Sequence, residues 1–190
     1  MDTLASSTPS TPLDAPIPLR KLYLARFTFA AVWAALLATT AHDLGALSVT
    51  LLIVYPLVDM AAAVTDLRTA HAEGRAAAAL YANVSISALA AAGLALAAAA
   101  DIPAVLRVWG AWAIASGILQ LITGAVRRHL GGQWPMIISG TISTLAGASF
   151  IAQAGNEDAT LKNLAGYAFL GGVFFLISAL RLNRPARRRT

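Results

Sequence analysis

The sequence predicts an all-α, polytopic membrane protein in which six transmembrane helices form a bundle of three antiparallel hairpins. Two observations support this fold class. Hydrophobic residues make up 58% of the 190 residues and charged residues only 12%, whereas about a quarter of the residues of a soluble domain are charged. The apolar residues also fall into six long runs, and a bilayer core of about 30 Å is crossed by about 20 helical residues.

A polar segment, residues 1–19, precedes the first run and is rich in Thr, Ser and Pro. Such a composition cannot form an apolar core, so we expect this segment to be disordered. It lacks the basic start and short apolar stretch of a secretory signal, which predicts that the first helix is not cleaved. The predicted membrane domain then covers residues 20–183, and a basic cytoplasmic tail covers 184–190.

The six runs give the predicted spans in chain order. These are residues 22–41, 46–64, 80–100, 105–126, 134–153 and 161–180. Short turns at 42–45, 101–104 and 154–160 join consecutive helices on one side of the membrane, and turns at 65–79 and 127–133 join them on the other. Short connections are typical of antiparallel neighbours, which gives three hairpins in series.

Small residues recur at seven-residue intervals on the last three predicted helices. The positions are Gly110, Gly117 and Gly124, then Gly140 and Gly147, then Ala165, Gly172 and Ala179. In lipid, small residues let helices approach closely, so this pattern favours packing surfaces over a glycine-lined substrate path. These surfaces fit interfaces within one chain or between the chains of a homo-oligomer.

Positive charge predicts the orientation. Twelve of the fourteen Lys and Arg residues flank one side of the predicted membrane domain, and cytoplasmic segments carry this excess. We therefore expect both termini to lie in the cytoplasm. The basic residues lie in several turns beside apolar spans, which predicts contact with the bilayer's anionic lipid headgroups and argues against nucleic acid as a partner.

Asp59 is the most informative polar residue, since it lies near the middle of the second apolar run. A carboxylate at the centre of a membrane helix costs about 2.5 to 3.5 kcal/mol on insertion scales, so it requires a partner or water. Asp66 shares its helix face, and Arg26 is a basic residue at a comparable depth. We expect Asp59 either to take up or pass a proton, or to form a structural bond with Arg26 or a neighbouring hydroxyl.

Asn83 and Gln120 extend the candidate intramembrane polar site to the third and fourth helices. If both converge with Asp59 on a cavity, the arrangement favours a small secondary transporter or channel. If each is satisfied by a separate helix contact, it favours a structural role. The sequence predicts no catalytic, cofactor-binding or metal-binding residues, because it has no cysteine and its histidines lie on opposite sides of the membrane.

The last three helices carry a resemblance to a known family. Residues 112–117 align with residues 167–172, and the second helix looks like a more distant copy, which predicts a parallel internal repeat. Residues 109–119, 139–147 and 165–172, built from Gly, aromatic and aliphatic side chains, resemble the HdeD-like acid-resistance membrane proteins. The resemblance implies a small six-helix protein of the bacterial inner membrane that acts in acid stress without an established catalytic site.

Overall fold

A computed structural model describes residues 17–72, 77–126, 128 and 133–181, and the regular structure within them is helical. The six helices are α1 (Ile17–Thr39), α2 (Ala46–Ala72), α3 (Ala78–Ala97), α4 (Ile102–Val126), α5 (Trp134–Gln153) and α6 (Lys162–Arg181). Helices α2 to α5 are long and apolar enough to cross a membrane, while α1 and α6 contain the shorter apolar stretches Tyr23–Thr39 and Lys162–Ile177. The all-helical class is therefore confirmed. Residues 1–16 of the predicted polar segment and the tail 184–190 lie outside the described residues.

The second helix is longer than its apolar run. The prediction of a turn at 65–79 is wrong in its first half, because α2 continues to Ala72. Polar residues end the lipid-compatible stretch, but they do not end the helix, since no Gly or Pro interrupts the backbone here. The hydroxyl of Thr65 bonds to the carbonyl of Ala61 and so stays within the helical pattern.

Three other helices begin earlier than predicted, and α3 does so by two residues. Helix α4 begins at Ile102, three residues before the predicted start, because the Asp101 carboxylate accepts a hydrogen bond from the Ala104 N–H at 2.6 Å. Pro103 lies in the first turn, where its missing N–H removes no helical bond. Helix α1 begins at Ile17, inside the predicted polar segment, whereas α5 has the predicted bounds.

The closest helix pairs are not the predicted hairpins. Helix α4 packs most closely on α5, α1 on α6 and α2 on α3, and α3 also packs on α4. By contrast, α1 meets α2 and α5 meets α6 only sparsely. The first and last helices thus contact each other. The lengths of the turns alone do not predict this contact.

Glycine explains the closeness of α4 and α5. A Cβ added at Gly110 would lie 2.6 Å from the carbonyl oxygen of Gly147, and one at Gly147 would lie 2.5 Å from that of Gly110. Gly117 and Gly140 face each other in the same way, at 2.7 Å in both directions. The two predicted stripes therefore meet, and the backbones approach to a distance that excludes any side chain.

Large buried side chains concentrate near the turns at 40–45, 98–101 and 154–161. Leu37, Leu52, Leu94, Leu106 and Leu161 are all fully buried in this half of the bundle. The Leu161 N–H also donates to the Ala41 carbonyl at 2.9 Å and joins the turns that flank α1 and α6. The helices are thus closed at this end, and the opposite half is the one with room for a cavity.

Replacing Gly147 with Ala should force α4 and α5 apart, since the new methyl group would meet backbone atoms that cannot move aside. We expect a destabilisation of about 1 to 3 kcal/mol, seen as a lower Tm of the purified protein in detergent. The matched control is Gly171→Ala, where a Cβ meets nothing within 4 Å, so the Tm should hold or rise. An equal loss in both variants would contradict the proposed close contact.

Candidate functional site

The Asp59 side chain is bound by helix α3. Its Oδ2 atom accepts a hydrogen bond from Asn83 Nδ2 at 3.0 Å and another from Ser87 Oγ at 2.8 Å. Asn83 and Ser87 are four residues apart, so one face of α3 presents both donors. The carboxylate is thereby solvated by the neighbouring helix instead of by water.

The hydrogen bonds continue to helix α4. Trp112 Nε1 donates to Ser87 Oγ at 3.2 Å, and the Ser87 side chain is fully buried. The Ser87 hydroxyl therefore accepts a hydrogen bond from α4 and donates one to α2. Asp59, Asn83, Ser87 and Trp112 together form the Asp59 cluster, which joins α2, α3 and α4.

A cavity of about 50 Å³ lies beside Asp59, between α1, α2 and α6. Its lining residues come from all three helices: Arg26, Phe29, Ala30, Tyr55, Val58, Asp59, Ala62 and Phe175. One water molecule needs roughly 10 to 15 Å³ of such space, so this Asp59 cavity has room for a few waters or a short chain. Asp59 is thus positioned between fixed donors on α3 and open space beside α1.

Arg26 lines the same cavity but forms its ion pair with Asp66. The shortest distance between the guanidinium and the Asp66 carboxylate is 3.9 Å, and the two side chains are 25% and 52% exposed. At this distance the contact is electrostatic without a hydrogen bond, and such exposed pairs stabilise little. Of the two structural partners expected for Asp59, a hydroxyl is present, that of Ser87. The other, Arg26, pairs with Asp66 instead.

Gln120 does not join the cluster. Its Cβ lies 3.1 Å from the position that a Cβ on Gly140 would occupy, which places it at the contact of α4 with α5. It also follows Trp112 by eight residues, or about 12 Å along the helix axis. Asn83 therefore contacts Asp59 without being among the residues that line the cavity, and Gln120 lies at a separate helix contact.

An aromatic cluster packs against Tyr55, which lines the cavity. Tyr55 lies one turn before Asp59, and its ring centre is 4.6 Å from that of Trp33 and 5.5 Å from that of Trp109. Tyr167 on α6 donates its hydroxyl to Ser143 at 2.8 Å.

The sequence reasoning did not single out Ser87, Trp112 or Phe175 as site residues. For Ser87 a signal existed, because it follows Asn83 by one helical turn and must share its face. For Trp112 and Phe175 there was none, since an aromatic residue in an apolar run is typical of packing alone. Their roles depend on which helix faces meet.

Within the described ranges, no three His, Asp or Glu side chains are grouped so that they could hold a metal ion. Comparison of the chain with protein-family models, with curated proteins and with solved structures gave no match.

Ser87→Ala should weaken the bundle. The change removes one donor from Asp59 and leaves the Trp112 N–H without its acceptor, and each unsatisfied buried group costs about 1 to 3 kcal/mol. We expect a lower Tm in detergent for this variant. Ser85→Ala is the matched control, because Ser85 is exposed and only two residues away on α3. If the two variants unfold at the same temperature, the cluster does not hold the helices together.

Proposed function

We propose that this chain is a non-enzymatic protein of the bacterial inner membrane that crosses it six times and contributes to resistance to acid stress. Asp59 is the group through which protons act on it. The observation that carries the proposal is the position of this carboxylate, which is bound by α3 on one side and reached from a cavity on the other.

The surface of the bundle supports a lipid environment. Large apolar side chains are widely exposed on α3 and α5, among them Leu89 at 73%, Leu96 at 77% and Leu145 at 66%. In water such surfaces are an aggregation hazard, whereas lipid covers them without penalty. Four of the described helices are both long and apolar enough to cross a bilayer, and we infer that α1 and α6 complete six spans because each packs along the other.

Basic residues support the proposed orientation, and exposed aromatic residues mark a membrane interface. Tyr81 and Trp134 are 52% and 73% exposed and lie in the first turns of α3 and α5. These turns are at the membrane side to which the excess of Lys and Arg belongs, and Tyr and Trp are enriched at such interfaces. In this orientation both termini are cytoplasmic, and the basic residues meet anionic headgroups of the bilayer.

Protonation of Asp59 would change the contact between α2 and α3. Hydrogen bonds to an ionised acceptor are roughly twice as strong as neutral ones, so uptake of a proton weakens the bonds from Asn83 and Ser87. It also adds an O–H donor to a site where both neighbours already donate. A proton arriving through the cavity therefore loosens α2 from α3, which is a structural response to acid.

The geometry favours proton binding over proton conduction. From Asp59 the hydrogen bonds lead to Ser87 and end at the Trp112 indole. An indole N–H donates only and has no lone pair with which to receive a proton. Protons that reach Asp59 therefore have no onward path along this route, which argues for a pH-responsive protein and against a proton channel.

The acid-stress role itself comes from the resemblance of helices α4 to α6 to HdeD-like proteins. The site supports this role because it contains a carboxyl group, that of Asp59, to which a proton can bind. A small secondary transporter is the alternative, and the cavity beside Asp59 is the observation that favours it. No catalytic step is proposed, because the contacts of Asp59 are those of a packed, hydrogen-bonded carboxylate.

Survival after acid challenge tests the proposal in a strain that lacks this gene. Wild-type protein should restore survival, and Asp59→Asn should leave it at the level of the deletion strain. Asparagine keeps the shape but is neutral at every pH, so the contact between α2 and α3 cannot change when acid arrives. Gln120→Ala is the matched control, a polar residue outside the cluster, and should rescue like wild type.

Equal membrane levels of all three proteins, measured by immunoblot, make the comparison valid. Rescue by Asp59→Asn as strong as that by wild type would show that a titrating carboxylate is not involved. No rescue by wild type would remove the acid-stress role for this chain altogether.

A further inference from the structure

We propose that the Asp59 cavity binds a small monovalent organic cation, an alkylammonium whose charged head meets the Asp59 carboxylate. The inference rests on the membrane placement proposed above and goes beyond the acid response. It names the substrate class that the transporter alternative requires.

The charges around the cavity leave Asp59 without a cationic partner of its own. Arg26 and Asp66 offset each other across 3.9 Å, and the groups that bind Asp59 from α3 are the neutral side chains of Asn83 and Ser87. Arg26 and Asp59 both line the cavity, and with Asp66 beside Arg26 the three side chains sum to one negative charge. A cation there gains from this charge, whereas an anion would be repelled by it.

Three aromatic rings line the same space, those of Phe29, Tyr55 and Phe175. The face of an aromatic ring attracts a cation within about 6 Å of its centre, most strongly where water is excluded. The Arg26 guanidinium carbon already lies 5.1 Å from the centre of the Phe175 ring. Arg26 thus occupies the Phe175 ring face, and Phe29 and Tyr55 are the rings that a bound ammonium group can meet beside the carboxylate.

The rest of the lining selects a slender apolar body. Ala30, Val58 and Ala62 complete the walls, and the volume of about 50 Å³ admits a short alkyl chain but no bulky ring system. Val58 is 38% exposed at the outer surface of α2, and α1 meets α2 only sparsely. A longer tail could therefore extend sideways between these helices towards lipid.

Titration of the purified full chain in lipid nanodiscs with n-butylammonium chloride tests the inference. Tyr55 contacts Trp33 and Trp109, so tryptophan fluorescence reports occupancy of the cavity. n-Butanol and butyrate are matched neutral and anionic probes of the same length. We expect n-butylammonium to bind about tenfold or more tightly than either, because only it meets the carboxylate with opposite charge.

Four variants locate the site. Asp59→Asn should weaken n-butylammonium binding about tenfold or more, and Arg26→Gln should strengthen it by removing a repelling charge. Ala62→Phe should abolish binding by filling the cavity without touching the Asp59 cluster. Glu157→Gln, a change at an exposed carboxylate in the turn before α6, should leave the affinity unchanged.

Unaltered binding to Ala62→Phe, or butyrate binding as tight as that of n-butylammonium, would overturn the inference. If Asp59→Asn does not fold, the other two variants still test the cation site, because Arg26→Gln should strengthen binding and Ala62→Phe should abolish it. If Asp59→Asn fails to restore acid survival while the wild-type chain binds no cation, the proposed function stands and only the cation site is rejected.

Discussion

One carboxylate in the middle of an apolar helix sets the condition that the rest of the structure must meet. Lipid offers Asp59 no hydrogen bonds, so a neighbouring helix has to solvate it. Helix α3 does so with two side chains one turn apart, Asn83 and Ser87, and α4 holds Ser87 in place through Trp112. The need of one carboxylate for hydrogen bonds thereby links three helices in a fixed relative position.

The cavity follows from an uneven distribution of packing. Glycines bring α4 against α5, and Gly172 of α6 faces Ala30 of α1 so closely that a Cβ would lie 2.9 Å from the Ala30 Cβ. Large side chains close the half of the bundle near the turns at 40–45 and 154–161. Because α1 and α6 form one pair and α2 and α3 another, space remains between α1 and α2 beside Asp59. The part-buried Asp59 carboxylate can be reached from this space.

Hydropathy and spacing predicted the parts of the structure that depend on one helix at a time. They gave the helical class, the bounds of α5 and the need of Asp59 for a partner. They did not indicate which faces meet, so the pairing of α1 with α6, the partner of Arg26 and the separate position of Gln120 came only from the structure. The predicted repeat stays a prediction, although its aligned residues Trp112 and Tyr167 each donate a hydrogen bond to a serine of the preceding helix.

The central claim is that Asp59 exchanges protons with the cavity beside it. Infrared difference spectroscopy of the purified chain in lipid tests this directly, as the pH is lowered from about 7 to about 4, the range in which carboxyl groups of proteins take up protons. The account predicts that wild type gains the carbonyl absorption of one protonated carboxyl that Asp59→Asn does not gain. Identical difference spectra for the two proteins would contradict it, because Asp59 would then keep one protonation state and serve packing alone.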